Sequence, residues 1–353
     1  MLHKASFSQN RRWNLLLISF AAVLMIWMFL HCSSVVAKVY HENHPPSVHL
    51  VLSTLSFSDF SWTTSLSIQN YQVVPYMVDN QNAQYHTPAN QGNEAMGYLT
   101  YMYEFYDNLP NISIFLHGQD YAWHIDGALQ YSTANALNRL DLTEVLRRKY
   151  MNLRISWDNA CPNWMNTSIT IDSPEFSTKL KGEEPYMKNA FESLFPGDPL
   201  PEILAAPCCS QFAVTRETIR AVPRERYQSA MSWLQNGYMS SSMSGRIWEH
   251  LWQWLFLKKA IDCPSEHKAL CRNYHICFES AEDWVHWKTL EKMRYDFQEF
   301  RNELLNRGMR TEDRQVVRLG KRIENLERRI VPWRDKAILT GEDERKRTKI
   351  AGD

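Results

Sequence analysis

The stretch Phe115 to Asp126, FLHGQDYAWHID, puts His117, Asp120, His124 and Asp126 within ten positions, with Gln119 between them. A short apolar run ends at His117, and in open α/β sheets ligands bind beyond the carboxyl ends of strands. His124-Ile125-Asp126 has the form of an Asp-x-Asp pair whose first member is replaced. Such a pair suits Mn²⁺ or Mg²⁺ held against a diphosphate, where the cation offsets the charge of the leaving group. Asp120 is then a candidate general base, and His117 and Gln119 are candidate substrate contacts. The bland alternative is a polar turn in which His117 and Asp120 bond the backbone.

A second set lies farther along the chain. Glu94 follows Gly92-Asn93 at the start of an amphipathic segment. The helix dipole alone favours an acid there, or the carboxylate faces a pocket. Arg246, Glu249 and Gln253 stand three and four apart, opposite a stripe of Trp248, Leu251, Trp252 and Leu255. A surface ion pair satisfies that spacing. A catalytic reading takes Glu249 as the base for an acceptor hydroxyl, with the tryptophans as an apolar wall that raises its pKa. Gln211, Arg216 and Arg246 complete the candidate substrate contacts. Dinucleotide-binding, phosphate-loop, serine-elbow and zinc-protease motifs are absent from the sequence.

Positioning these groups calls for an α/β layer. Gln72–Val78 reads as a strand that Pro75 confines to an edge. Gly92–Asp107 is an amphipathic helix, and Ile112–His117 is a continuous apolar run suited to a buried parallel strand. Strand, helix, strand in that order predicts a βαβ unit in a small mixed or parallel sheet with flanking helices. Further helices are expected over Leu140–Tyr150, Arg216 onward (with Thr215 as cap), Arg224–Gln235 and Gly245–Leu257. Strands are expected at Asn152–Ser156 and Cys209–Thr215, and long connections over Asp172–Leu204. From 281 to 340 apolar residues recur by three and four, through Leu290, Phe297 and Leu304, then Val316, Ile323 and Ile330. This predicts a helical hairpin or coiled coil, free to pack on itself, on the body, or, through 283–335, on a partner or second copy.

Residues 13–30 carry no charge, and 1–12 contain Lys4, Arg11 and Arg12. That combination predicts a single-pass type II membrane anchor with a short cytosolic tail and a lumenal body, in the Golgi or another secretory-pathway membrane. A cleaved signal ending near Ala37 is the alternative. Positions 53–67 hold nine Ser or Thr, so 31–70 reads as a stem and the body as 71–280, with 341–353 a solvated, disordered tail. Asn111-Ile112-Ser113 and Asn166-Thr167-Ser168 are glycosylation triplets. Cys161, Cys208, Cys209, Cys263, Cys271 and Cys277 are disulfide candidates in that compartment, with the pairing open. For Cys208 and Cys209 the expectation is one partner each, or one bridged and one buried. Zinc on Cys263, Cys271, His275 and Cys277 is the minor alternative. With 39 basic and 39 acidic residues, no charge excess favours nucleic acid.

NQGNEAMGYLTYMYEFYDNLP (90–110), ISIFLHGQDYAWH (112–124), YMNLRISW (150–157), CCSQFAVTRETI (208–219) and SGRIWEHLWQWLF (244–256), followed by Cys263-Pro264, Cys271 and Cys277, resemble the fungal domain-of-unknown-function 3431 family. The family pattern has Lys and Arg where this chain has Gln91 and Asn93, and it ends at the cysteine-rich tail. The long helical segment is thus an addition. The resemblance implies the fold and a cysteine framework, and no defined activity. The layout of anchor, stem and α/β body is similar to that of Golgi transferases, which implies transfer of a sugar from a nucleotide donor to a glycan or a secondary metabolite. The alternative is a non-catalytic membrane glycoprotein that recruits a partner through its C-terminal helices.

Overall fold

The structure, a computed structural model, describes residues 45–176 and 181–352. The expected anchor at 13–30 lies outside the described residues. Among the described residues no helix is long and apolar enough to cross a membrane.

Among the described residues seven strands form, all within the unit that begins at Ser47: β1 (Val48–Thr54), β2 (Tyr71–Met77), β3 (Ile112–His117), β4 (Tyr150–Asn152), β5 (Met165–Asn166), β6 (Ile203–Leu204) and β7 (Phe212–Thr215). Five of them make a mixed sheet in the order β2-β1-β3-β7-β4, while β5 and β6 pair as a small ribbon. β1 runs parallel to both β2 and β3, and β7 is antiparallel to β3 and to β4. The expected βαβ unit is present as β2, helix α1 (Glu94–Glu104) and β3. Pro75 sits in the edge strand β2, where its missing N–H interrupts nothing.

β1 corrects the expected stem. Its apolar residues Leu50, Val51 and Leu52 are fully buried between β2 and β3, so the body begins near Val48 rather than at Tyr71. The Ser/Thr cluster just after it closes a short 3₁₀ turn. There Thr63, Thr64 and Ser65 each donate a hydroxyl to the carbonyl three residues back. Hydroxyls that saturate the local backbone mimic the composition of a linker.

Alternation along the strands sends side chains to two cores, one on each face. Val51, Phe115, Phe212 and Tyr150 pack under α1, α4 (Met187–Leu194), α6 (Arg224–Asn236), α7 (Ser241–Glu249) and α8 (Trp252–Leu257). Leu50, Leu52, Ile114, Leu116 and Met151 face α2 (Thr133–Arg139), α3 (Leu142–Arg148), α9 (Glu266–Tyr274) and the C-terminal helices. α5 (Arg216–Ala221) starts where Thr215 accepts from the Thr218 amide, as its position predicts. The helix expected over Gly245–Leu257 is two, α7 and α8, broken at His250-Leu251. The candidate strand 152–156 closes earlier, as β4, and α4 and β6 fall within the expected connections of 172–204.

The C-terminal segment is an antiparallel hairpin of α10 (Ala281–Asn306) and α11 (Arg314–Glu342). Ser280 caps α10, and Glu282 and Asp283 complement its dipole. The hairpin's inner half docks on the body through Trp284, Trp287, Leu290, Leu326 and Ile330, and its tip closes on Leu304, Val316 and Leu319. The expected tail is a helix, α12 (Glu344–Ala351), which returns to α9. Arg272 donates to the Ala351 carbonyl there, and Lys268 donates to that of Gly352.

Disulfides join Cys161 to Cys263, Cys208 to Cys209, and Cys271 to Cys277. The adjacent cysteines thus pair with each other. Neither expected arrangement holds, and the cysteines of the minor zinc reading are consumed.

Candidate functional site

A cleft of about 450 Å³ opens beside the carboxyl end of β3. Glu94 enters it from the first turn of α1, and Glu249 from the last turn of α7. The two helices approach closely where residue 245 is glycine: a Cβ there would stand 2.7 Å from the side-chain Nδ2 of Asn93. Solvent reaches both carboxyls only partly, and burial raises both well above the usual range, Glu94 to about 7 and Glu249 to about 8. For Glu249 the charges of Glu94 and Glu183 add to the burial. Burial, and for Glu249 the neighbouring negative charges, thus bring the titration of both carboxyls close to neutral pH.

The loop 208–211, between β6 and β7, holds these carboxyls. The Cys209 amide donates to Glu249, and the Ser210 hydroxyl bonds Glu94. Gln211 accepts the His117 amide at 3.2 Å, which ties the loop to the end of β3. The Cys208–Cys209 disulfide forms part of the cleft wall. Tyr98 lies beneath the pair, and burial followed by the Glu94 and Glu249 charges pushes its hydroxyl far up.

Two cations line the cleft. Arg246 sits 3.4 Å from Glu183, which also accepts from His250 at 3.1 Å. Burial alone would raise Glu183, but the bond to His250 and the charge of Arg246 outweigh it and hold the carboxyl low. Arg154 lies over the Trp123 ring at 5.2 Å and donates to the Trp123 carbonyl, and its buried Nε has no partner in the protein. Burial lowers His117 to about 4. Burial, His117 and Arg154 together lower His124 to about 3, so both rings are neutral at physiological pH. Their centroids stand 4.7 Å apart, and His117 Nε2 and His124 Nδ1 are buried without partners. Buried polar atoms of this kind take their partners from water or from a ligand in the cleft.

Of the residues the sequence singled out, the cleft brings together Glu94, His117, His124, Arg246 and Glu249. Gln211 stands directly behind it, with its Nε2 buried and unpartnered. The others lie elsewhere. Asp120 accepts from the Ser132 hydroxyl and the Ala134 amide, so it fixes the start of α2, and it does not line the cleft. Gln119 is an exposed loop residue that does not line the cleft. Arg216 bonds the Leu109 and Pro110 carbonyls near the amino end of β3, the opposite edge of the sheet. Gln253 is buried and donates to the His250 carbonyl.

Asp126 gives both carboxylate oxygens to backbone amides, those of Ile155 at 2.6 Å and Ser156 at 3.2 Å. The proposed His124–Asp126 ligand pair is thus broken up. No group of three His, Cys, Asp or Glu side chains placed to hold a metal forms among the described residues.

Neither glycosylation triplet is a free loop. Ser113 is buried in β3 and bonded to the Tyr101 hydroxyl, and Asn111 accepts from the Ser47 amide and hydroxyl. Asn166 accepts from Ser168 in a tight turn.

Sequence reasoning missed Arg154, Glu183, His250 and the wall residues Trp123 and Trp164. Arg154 carried one signal: it is the single charge inside NLRIS, an otherwise strand-like run. Glu183 lies in a segment without periodicity and carried none.

No curated protein and no solved structure matches the chain. A family profile described as protein of unknown function (DUF3431) matches residues 50–272, more than half of the 353. The match begins within β1, ends within α9 and contains every residue lining the cleft, while the hairpin α10–α11 lies beyond it. This chain belongs to the domain-of-unknown-function 3431 family.

Proposed function

We propose that the chain transfers a sugar from a nucleotide donor to a hydroxyl acceptor, with Glu94 and Glu249 as one acid–base unit. One observation carries the reading: two carboxyls on different helices share a cleft with two guanidiniums at the carboxyl end of a parallel strand. The ionised member of the pair takes the acceptor's hydroxyl proton, and the freed oxygen bonds to the anomeric carbon. The bond from that carbon to the diphosphate oxygen breaks, and the diphosphate leaves with the electron pair. Arg154 and Arg246 offset the charge it gains. A pair of carboxyls replaces the single base expected at Glu249, because burial and the nearby negative charges keep Glu249 largely protonated at neutral pH. No step is routed through a metal.

The uncharged run 13–30 behind three basic residues supports a single-pass anchor, and three disulfides suit a body in an oxidising secretory compartment. The test is release of nucleoside diphosphate from UDP- and GDP-sugars by the full-length protein, with and without Mn²⁺. Glu94→Gln and Glu249→Gln are each expected to lower the rate by about 100-fold or more. No release from any donor, or unchanged release by both variants, contradicts the proposal.

A further inference from the structure

A second cavity, of about 310 Å³, adjoins the cleft. Both are lined by Trp123, Arg154, Asp158 and Asn159. Its far wall is the first half of α10, which contributes Trp284, Trp287, Lys288, Glu291, Lys292 and Tyr295. The family match ends at residue 272, so this wall lies outside the matched residues.

The lining has a definite chemistry. Tyr131 and Tyr295 stand 4.6 Å apart by ring centroids, and the stacked, buried Trp284 and Trp287 form an aromatic base. Trp123, 54% exposed, stands at the junction with the cleft, its ring packed by Arg154 and His124 and still open to solvent. The charges on α10 are already matched: Lys288 bonds Glu266 and Asp158, Lys292 bonds Asp296, and Glu291 is paired with Arg294. An anionic ligand finds no surplus cation on that wall. A neutral ligand with one apolar face and an edge of hydroxyls fits: its C–H face lies on the rings, and its hydroxyls reach Asn159, Ser156 and the paired carboxylates.

We infer that this cavity is the acceptor subsite and that it takes a neutral oligosaccharide, whose terminal hydroxyl passes Trp123 into the cleft. The assignment rests on the glycosyl-transfer reading for its role, but the binding it asserts is measurable without turnover.

Saturation-transfer NMR on the full-length protein with chitotriose, cellotriose and mannotriose tests it. At least one trisaccharide is expected to bind wild type. Tyr295→Ala should weaken it at least tenfold, Tyr295→Phe should keep it within about twofold, and Glu249→Gln should retain it. The inference is overturned if none of the three binds, if Tyr295→Ala binds like wild type, or if binding disappears in Glu249→Gln but survives in Tyr295→Ala. Trisaccharide binding that follows Tyr295 without release of nucleoside diphosphate from any donor would sink the catalytic reading and leave the saccharide site standing.

Discussion

A carboxyl buried beside another carboxyl sets ionisation against folding, because the charged form loses hydration and meets a like charge. Glu94 and Glu249 are held in that condition by α1, α7 and the loop 208–211. Their folded pKa values lie above the unfolded value of 4.5, so the unfolded chain releases these protons first as pH rises. The stability they contribute is whole below about pH 4.5 and is lost as pH climbs through 7 and 8. Denaturant unfolding at pH 5 and pH 8 should therefore show wild type losing roughly 1–3 kcal/mol more than Glu94→Gln/Glu249→Gln across that range. Equal losses would mean that the carboxyls ionise normally. Both residues were legible in the sequence, one as an acid opening a helix and one as an acid beside a tryptophan stripe. Asp126 looked equally promising, because residue type and spacing do not reveal that the amides of Ile155 and Ser156 would claim it.

At the scale of elements, periodicity disclosed what local chemistry could disclose. The helices at 94–104 and 224–236, the buried strand at 112–117 and the edge strand carrying Pro75 all followed from apolar spacing and from proline's missing donor. β1 was hidden because its hydroxyl-rich flank resembles a linker, and its interior place in the sheet is fixed by β2 and β3, which follow later in the chain. Cysteine pairing was equally out of reach, since it depends on which loops meet. The disulfides differ in what they do. Cys161–Cys263 closes a long loop, with a sequence separation of 102, whereas Cys208–Cys209 closes almost none. Chain entropy then assigns about 4–5 kcal/mol to the first and about 1 kcal/mol to the second. Replacing Cys161 and Cys263 with Ser should lower the thermal midpoint far more than replacing Cys208 and Cys209. The second change should instead shift the titration of Glu249, whose partner amide belongs to Cys209. Equal midpoints for the two double variants would refute this division of roles.

For the whole molecule, the segment beyond the family match is integral to the fold. Trp284, Trp287, Leu290, Leu326 and Ile330 cover one face of the second core, and each buried side chain of that size contributes about 1.5–3 kcal/mol. Together they approach the entire stability of a typical domain, about 5–15 kcal/mol. Deleting residues 281–353 should leave the body insoluble or cut its thermal midpoint sharply, whereas a stable truncated body would show that the hairpin is dispensable. The sequence showed the hairpin's stripe but not its docking surface, because a stripe states that a face must be covered without naming what covers it. The central claim, that two carboxyls facing one cleft titrate near neutrality and feel each other's charge, is tested most directly by carbon-13 NMR titration of glutamate carboxyls in the full-length protein. The account predicts that a pair of resonances titrates at or above neutrality and that Glu94→Gln moves the Glu249 midpoint downward. Glutamates that all titrate below about pH 5.5 would contradict it.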